Sequence, residues 1–410
     1  MSRHGADPGA LLQAGIAHQR AGRLGDAARL YEQVLASAPN DANALNLLGL
    51  IHHAKGDTEA ALPLLERAVS LRPDSPLFLG NLGAVLAAAG RLEAALARLL
   101  AALARRPGDP TINRNLGSVF YQRGDPATAA RHYEQTLVAA PGDPDAHLGL
   151  AHAYKALGRL DAAAQSCRAA LERRPDHAEA RYLLAALEQR DVPDRPPASY
   201  VRAVFDAYAG RFERDLVETL GYHIPEAIAA LVAEQIAAPT VAALDLGCGT
   251  GLCGAALKGR ARRLVGIDLS ARMIAKAQDR RIYDELHHGD ILEYLPRLAP
   301  ASFDLAIAAD VFNYLGELGP VFEAIARLLQ PGGHLVFTTE AAARPDNDPD
   351  NDGAKCDGFR LATTLRYVHA AEYVRRTAAG AGLCECAWRP VTIRRERNAP
   401  VAGDLFLYRR

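Results

Sequence analysis

The stretch Val241-Ala-Ala-Leu-Asp-Leu-Gly-Cys-Gly-Thr-Gly251 joins a short apolar segment to three glycines at alternate positions. Residues 241–246 favour a buried β-strand because all but one of them are apolar. The glycines allow the backbone to turn tightly and to approach a bulky ligand closely. A helical pattern follows, so the stretch predicts a strand, a ligand-binding turn and a helix.

The alternation of strand and helix continues towards the C-terminus, which predicts a parallel sheet with helices on both faces. Ligands of such sheets bind beyond the carboxyl ends of the strands. A last antiparallel pair is predicted around a turn near residues 398–403. The predicted strands are residues 241–246, 263–268, the residues that end at 290, and then 303–310, 334–339, 384–393 and 405–408.

Acidic side chains stand where these predicted strands end. Asp268 closes the second strand and can accept hydrogen bonds from two ribose hydroxyls, with Leu269 beside it. Asp290 closes the third strand and can accept from an adenine amino group, while Ile291 can pack on the ring. These positions predict a ligand that contains adenosine.

A dinucleotide is the alternative ligand, because residues 249–254 fit the phosphate-binding pattern G-x-G-x-x-G. That pattern needs its first glycine directly after the strand, where this sequence has Gly247. Counted from Gly247, the third glycine position holds Leu252, so the pattern fails. Asp245 would also repel a pyrophosphate, whereas it suits the positive sulfonium and amino groups of S-adenosylmethionine.

Residues 244–251, Asp268, Asp290 and the Pro-Gly-Gly turn at 331–333 together resemble the class I S-adenosylmethionine-dependent methyltransferases. More narrowly, residues 200–222 and the tail are similar to bacterial predicted methyltransferases that carry tetratricopeptide (TPR) repeats. The resemblance implies S-adenosylmethionine as the cofactor and a Rossmann-like α/β domain. Its sheet is expected to be seven-stranded and mostly parallel, with a C-terminal antiparallel hairpin. The expected cofactor-binding residues are Asp245, Gly247, Gly249, Gly251, Asp268, Leu269, Asp290, Ile291 and Tyr208.

Tyr208 belongs to an amphipathic segment, residues 200–216, that resembles the lead-in of small-molecule methyltransferases. Phe205, Tyr208 and Phe212 recur in it at helical spacing. The three rings form either a stripe of the core or a lid over the cofactor site, and the pattern alone leaves both open.

Methyl transfer is an in-line displacement, and positioning of the nucleophile can supply most of the rate. An oxygen nucleophile can also need a general base. The candidates are His369, which we favour, and Asp310 and Tyr314 beyond the fourth strand. Each can equally be a cap or a satisfied polar residue. Residues 310–313 read Asp-Val-Phe-Asn, which lacks the Asp/Asn-Pro-Pro-Tyr signature of DNA N-methyltransferases.

The first half of the chain repeats every 34 residues over five copies, in several columns at once. Spacing and pattern resemble the TPR family, which implies an all-α superhelix with a concave groove. Asn81 and Asn115 are expected to face that groove, where they bind a peptide backbone or are merely polar surface. Self-association is the rival use of the array. The columns are Gly22, Gly56, Gly90, Gly124 and Gly158; Pro39, Pro73, Pro107, Pro141 and Pro175; Ala27, Ala61, Ala95, Ala129 and Ala163; and Gly15, Gly49, Gly83 and Gly117 with Ala151 in the fifth copy.

The domain prediction has three parts: a TPR array with a capping helix at 8–191, a Pro-rich linker at 192–198 and a methyltransferase domain at 199–410.

The net charge of −1 predicts neither nucleic-acid nor membrane partners, and the arginines at 394–397 are expected on a solvated face. We expect a cytoplasmic protein, since no signal-like segment is present. Residues 348–359 mimic a calcium loop, but Phe359 replaces the required glutamate. We therefore expect no metal and a solvated loop there.

These patterns favour an enzyme that methylates an oxygen, nitrogen or carbon atom of a small molecule. The TPR array would then bind a protein partner or form oligomers. Two alternatives stay open: methylation of a protein or peptide held in the TPR groove, and a scaffold whose methyltransferase domain is not catalytic. The intact glycines and acids argue against the scaffold.

Overall fold

The structure, a computed structural model, describes residues 7–210, 212–213, 216, 220–237, 240–342, 358–396 and 399–410. Its contacts divide the chain into two units, with the division after Ala180. None of the described helices is long and apolar enough to cross a membrane. Parts of the features singled out in the sequence lie outside the described residues: residues 348–357 of the calcium-like stretch, Arg397, the turn residue Asn398, and residues 211, 214–215 and 217–219 of the lead-in.

The first unit consists of successive helix pairs, as the 34-residue period predicts. Each helix packs on the next one along the chain, so the core is a series of small contacts between neighbours. The helices are α1 (Pro8–Arg20), α2 (Leu24–Ser37), α3 (Ala42–Ala54), α4 (Thr58–Leu71), α5 (Pro76–Ala88), α6 (Leu92–Arg105), α7 (Pro110–Gln122), α8 (Pro126–Ala139), α9 (Pro144–Ala156) and α10 (Leu160–Arg173).

The repeating columns set where these helices begin and end. Asp41 caps α3 by accepting a hydrogen bond from the amide of Ala44 at 2.9 Å, as a short polar side chain does at a helix N-terminus. Gly56 follows α3 with a φ of +88°, a left-handed conformation that glycine adopts without strain. Pro73 stands two residues beyond the end of α4, where a helix can no longer continue.

A second glycine column allows the two helices of a pair to approach closely. A Cβ atom added to Gly83 would lie 2.6 Å from Cγ of Leu99 on the partner helix. Leu65 meets Gly49 in the same way at 2.8 Å. The residues opposite the glycines are fully buried, which confirms that large side chains fill the space that the small column leaves.

The expected capping helix is present as α11 (Ala178–Glu188). The division between the units falls inside this helix, so its residues from Arg181 onwards belong to the second unit. Tyr182 donates a hydrogen bond from its hydroxyl to the carbonyl of Leu365 at 3.1 Å, and Gln189 donates to the carbonyl of Leu361 at 2.8 Å. The second unit thus begins earlier than the linker expected at 192–198.

The second unit alternates strands and helices, as predicted. Its helices are α12 (Ala198–Tyr208), α13 (Ile224–Gln235), α14 (Leu252–Ala256), α15 (Ala271–Asp279), α16 (Ile291–Tyr294), α17 (Gly319–Leu328) and α18 (Ala371–Gly380). Its strands are β1 (Thr240–Leu246), β2 (Ala261–Asp268), β3 (Glu285–His288), β4 (Phe303–Ala308), β5 (Leu329–Ala341), β6 (Phe359–Leu361), β7 (Tyr367–His369), β8 (Cys384–Glu396) and β9 (Ala399–Arg409).

The strands form one sheet in the order β3-β2-β1-β4-β5, and all of these pairs are parallel. β9 then pairs antiparallel with β5, and β8 pairs antiparallel with β9. This arrangement confirms the Rossmann-like sheet and the C-terminal hairpin. Because the first five strands are parallel, their carboxyl ends meet at one edge of the sheet, where ligands of such folds bind.

The sheet also has features that the sequence did not predict. The short strands β6 and β7 form a hairpin that joins the carboxyl end of β5, so the described sheet has nine strands instead of seven. Residues 330–333, expected as a turn before β5, lie within it. Residues 399–403, expected in a turn, belong to β9 because the β8–β9 ladder extends to Glu396 and Ala399.

Substitution of Gly83 by alanine tests the close helix contact in the repeats. The added methyl group forces Leu99 to shift, an overpacking cost of about 1–3 kcal/mol that exceeds the gain in helix propensity of about 1 kcal/mol. We expect a net loss of up to about 2 kcal/mol in the free energy of unfolding. Gly25→Ala is the control, since a Cβ at Gly25 meets no atom within 4 Å. Urea unfolding followed by circular dichroism measures both, and equal midpoints would contradict the contact.

Candidate functional site

A cavity of about 460 Å³ opens at the carboxyl ends of β1, β2 and β4 in the second unit. It lies where the parallel sheet predicts a ligand, and its volume suits a small molecule. The expected residues that line it are Asp245, Gly247, Gly249, Asp268, Leu269, Asp290, Ile291, Tyr208, Asp310 and Tyr314. Gly251 and His369 do not line it.

The glycine turn after β1 has left-handed backbone at all three expected positions. The φ angles are +60° at Gly247, +54° at Gly249 and +89° at Gly251. A side chain at Gly247 would also collide with Val311, whose Cγ2 atom lies 2.5 Å from the added Cβ. Gly251 instead packs against the side chain of Arg280 and the ring of Tyr283. The turn therefore exposes its first two glycines to the cavity and packs the third.

Asp268 ties this turn to the end of β2. Its Oδ2 accepts from the amide of Gly249 at 2.9 Å, and its Oδ1 accepts from the amide of Ser270 at 2.8 Å. Burial raises the pKa of Asp268, while the two amide hydrogen bonds act in the opposite direction. The carboxylate thus reaches the cavity already oriented, in the position expected to bind ribose.

Asp245 is buried at the end of β1 and accepts a hydrogen bond from the hydroxyl of Tyr283 at 2.7 Å. Burial raises the pKa of Asp245 to about 7, although the Tyr283 hydrogen bond lowers it. Tyr283 was not predicted from the sequence, because it lies far along the chain and before β3. No local pattern connects it with Asp245.

Asp290 and Ile291 stand beyond β3, as expected. Asp290 uses one oxygen to cap α16, accepting from the amide of Leu292 at 2.8 Å. Its other oxygen lies 3.6 Å from Nη1 of Arg195, which also lines the cavity. Arg195 was expected only as part of a Pro-rich linker, and its position at the cavity is a finding of the structure.

The aromatic residues of the lead-in line the cavity, which favours the lid over the core stripe. The ring centroids of Tyr208 and Phe212 are 5.4 Å apart, and those of Phe205 and Tyr314 are 5.5 Å apart. Helix α12 is held at the sheet edge because Ser270 donates to Asp206 at 2.5 Å. The rings therefore line the cavity, and that of Phe212 lies 4.0 Å from a Cβ atom added to Gly249.

Asp310 and Tyr314 stand at the cavity beyond β4, whereas the favoured candidate His369 does not. Asp310 has a φ of +55° and accepts from the side-chain amide of Asn313 at 2.7 Å. His369 is fully buried, and its Nε2 lies 3.1 Å from the carbonyl of Gly316. Burial lowers the pKa of His369 to about 4. This position does not support a role for His369 as the base.

A buried cluster of charges forms the wall next to Asp310. Arg394 is only 2% exposed, and it donates to Asp310, to Glu340 and, at 2.8 Å, to Glu396. Arg366 donates to Glu396 at 2.6 Å and lines the cavity. The expectation of a solvated face at Arg394 is wrong, because three carboxylates from separate elements neutralise it inside the protein.

The residues present fit the cofactor that the resemblance implies. Asp245 and Asp268 offer carboxylates to positively charged and hydroxyl groups, and the glycine turn leaves room for a large ligand. Thr250 also lines the cavity, and its buried hydroxyl has no hydrogen-bond partner among the described residues. A buried polar atom of this kind is commonly satisfied by a ligand or by water.

Comparison with known families agrees with both units. The model of the methyltransferase domain family matches residues 244–337, which run from β1 to β5. Two tetratricopeptide repeat models match residues 12–76, and residues 52–114 and 120–187. Residues 244–337 of the second unit thus match a methyltransferase domain, in agreement with the cofactor S-adenosylmethionine that the resemblance implied. The chain joins this domain to TPR repeats, as the resemblance implied.

Curated relatives match the methyltransferase region. A malonyl-acyl-carrier-protein O-methyltransferase of Enterobacter lignolyticus is 35% identical over 28% of this chain and 44% of its own length. One of Methylovorus is 34% identical over 36% of this chain and 55% of its own length. A ubiquinone biosynthesis O-methyltransferase of Paracidovorax citrulli is 30% identical over 23% of this chain and 42% of its own. The chain covers less than two thirds of each relative.

Removal of the Asp268 carboxylate tests the placement of the ribose. We expect Asp268→Ala to weaken binding of S-adenosylhomocysteine by about 1–3 kcal/mol, roughly 5- to 150-fold, because charge-assisted hydrogen bonds are lost. Isothermal titration calorimetry measures the change. Glu293→Ala, at an exposed acid of α16, is the control. Unchanged affinity in a folded Asp268→Ala protein would refute the placement.

The raised pKa of Asp245 predicts that cofactor affinity depends on pH. Below a pKa of about 7 the carboxyl is protonated and cannot attract an ammonium group. We expect the affinity for S-adenosylhomocysteine to rise from about pH 6 to about pH 8, by at most about tenfold per unit. Asp245→Asn should remove most of this rise. 5′-Methylthioadenosine lacks the ammonium group, so its affinity should not rise with pH. An equal rise in affinity for both ligands would exclude the Asp245–ammonium interaction as the cause.

Proposed function

We propose that this protein transfers a methyl group from S-adenosylmethionine to a nucleophilic atom of a small molecule. The observation that carries the proposal is the continuity of one cavity, from Asp268 and the glycine turn to Asp310 and Tyr314. A cavity of this kind suits a small acceptor, or the end of a chain, better than the surface of a folded protein.

Bound S-adenosylmethionine supplies an electrophilic methyl group on a sulfonium, with a thioether as the leaving group. Asp245, Gly247, Gly249 and Asp268 would hold it on one side of the cavity. The aromatic lid, made of Phe205, Tyr208 and Phe212, would exclude water from the reacting groups, as closed active sites do. Positioning by these residues would supply much of the rate.

Asp310 is the residue that we propose as the acceptor of a proton from the nucleophile. Among the described residues, its Oδ1 accepts from Asn313 and Arg394, whereas its Oδ2 accepts from Arg394 alone, at 3.3 Å. Oδ2 therefore retains capacity for an acceptor hydroxyl or amine. Tyr314 would orient the acceptor from the same wall, through its hydroxyl or its ring.

An oxygen atom is the nucleophile that we favour, because the relatives are named as O-methyltransferases.

We propose the TPR unit as a binding surface for a protein segment. Asn81 donates to buried Asn46 at 3.0 Å, and Asn115 is half-buried, so Asn81 is engaged within the array and Asn115 is the better test position. A cytoplasmic location belongs to the same proposal.

Incubation of the full chain with methyl-labelled S-adenosylmethionine tests the activity. Small carboxylic acids, alcohols and amines form one set of acceptors, and unfolded peptides form the other. We expect label to enter small molecules. Label in peptides alone would instead support the groove-bound substrate, and label in neither set, from a protein that binds S-adenosylhomocysteine, would support the scaffold.

With an acceptor in hand, Asp310→Asn tests the proposed base. We expect kcat to fall by roughly 10²- to 10⁴-fold, the usual contribution of general base catalysis, with affinity for S-adenosylhomocysteine retained. Glu323→Gln, at an exposed position of α17, is the control. An unchanged kcat in the Asp310→Asn protein would show that Asp310 is not the base and only pairs with Arg394.

A further inference from the structure

The guanidinium of Arg366 lies in the cavity wall with hydrogen-bonding capacity to spare. Its Nη1 donates to Glu396 at 2.6 Å, and its Nε is 3.4 Å from the hydroxyl of Tyr314. Glu340 lies further away, at 3.8 Å from Nη1. Among the residues that the structure describes, Nη2 has no hydrogen-bond partner. About a quarter of the side chain, 26%, is exposed, and the residue lines the cavity.

Arg394, the other arginine of the cluster, has a different role. All three of its nitrogens are paired with carboxylates of Asp310, Glu340 and Glu396, and 2% of its side chain is exposed. Arg394 therefore organises the wall and has little left to offer a ligand. Arg366 also lines the cavity but contacts only two of these carboxylates, Glu396 and Glu340, so its Nη2 stays available.

Arg366 stands on the side of the cavity that faces away from the adenosine end of the cofactor. The expected cofactor contacts run along the sheet from Asp290 after β3, through Asp268 at the end of β2, to the glycine turn after β1. The partners of Arg366 lie beyond β1, at Tyr314 after β4 and Glu340 in β5. An in-line displacement requires the acceptor on this far side.

We propose that Arg366 binds a carboxylate of the methyl acceptor. The inference rests on the proposed function and names the substrate class of that same site. Nη2 of Arg366, together with the second N–H of Nη1, can donate to a planar carboxylate, which accepts two parallel hydrogen bonds. The carboxylates of Glu396 and Glu340 already hold the guanidinium in place. The side chain therefore loses little conformational freedom when the ligand binds.

The charge of the wall limits which anions fit. Asp310, Glu340 and Glu396 contribute three carboxylates, against the two guanidiniums of Arg366 and Arg394. A dianion such as a phosphate monoester meets more repulsion here than a single carboxylate does. A monoanion experiences less repulsion, which direct pairing with Arg366 can outweigh.

The rest of the cavity wall indicates an apolar body for the acceptor. The side chains of Val201, Val204, Leu216 and Leu220 line the same space as Arg366. Burial of apolar surface against them contributes roughly 25 cal/mol per Å². The acceptor class is therefore an amphipathic monocarboxylate, with the carboxylate at Arg366 and the apolar part against the lid and its neighbours.

Calorimetry on the full chain saturated with S-adenosylhomocysteine tests the inference with three probes: octanoate, methyl octanoate and octyl phosphate. We expect octanoate to bind more tightly than the other two. Absence of octanoate binding, equal binding of the methyl ester, or tighter binding of the phosphate would overturn the inference. These comparisons use the unaltered chain, so they do not depend on the folding of a variant.

Variants then assign the effect to Arg366. We expect Arg366→Gln to weaken octanoate binding roughly 10- to 100-fold, and Arg366→Lys to restore part of it. Arg360→Gln is the matched control, because Arg360 is exposed on the same hairpin. Octanoate affinity that Arg366→Gln leaves unchanged would overturn the assignment.

The carboxylate could come from the cofactor instead of the acceptor, and a further comparison separates the two sources. We expect Arg366→Gln to leave the affinity for S-adenosylhomocysteine within about threefold. A larger loss that is absent for decarboxylated S-adenosylhomocysteine would place the carboxylate on the cofactor and overturn the inference. Failure of the unaltered chain to bind S-adenosylhomocysteine at all would instead refute the proposed function.

Discussion

The buried guanidinium of Arg394 is the constraint on which the wall around Asp310, the proposed acceptor side of the cavity, depends. A charge that is 2% exposed persists only if it is paired, because an unpaired buried charge costs several kcal/mol. Arg394 is paired with carboxylates from three places: Asp310 after β4, Glu340 in β5 and Glu396 in β8. These contacts bring together the ends of strands that are far apart in the sequence. Through Glu396 they also fix the orientation of Arg366.

The side of the cavity that we expect to bind the cofactor depends on a smaller set of hydrogen bonds around Asp268. This carboxylate accepts from the amides of Gly249 and Ser270, and so joins the turn after β1 to the start of α15. Ser270 in turn caps α15 at the amide of Met273 and donates to Asp206 of α12. The helix that carries the aromatic lid is therefore connected to the residue expected to bind ribose. Cofactor binding and lid position share one network.

The repeats are built on a different principle, because each helix pair meets its own requirements locally. A glycine at φ near +80°, such as Gly90 at +75°, ends the first helix, and a proline two residues beyond the second helix prevents its extension. The close approach at Gly83 needs only Leu99, sixteen positions along the chain. Since helices of the same or adjacent repeats supply the main contacts, stability is close to a sum over repeats, and no long-range cluster like that of Arg394 is required.

The repeats, the alternation of strands and helices from β1 to β5, the C-terminal strand pair and the acids at the strand ends could be predicted from the sequence. These follow from local causes: a glycine column with a fixed period, apolar runs, and acids at strand ends such as Asp268. Which polar residues meet at the proposed acceptor side depends on the tertiary structure. Arg366 and Arg394 lie in segments without a motif, and they reach Asp310 and Glu340 only because β5, the hairpin β6–β7 and β8 are brought to one edge. His369 has a residue type suited to a base, but β7 turns it into the core. The residue types suited to binding or catalysis could be recognised in the sequence. Their burial and their long-range partners depend on how the whole sheet packs.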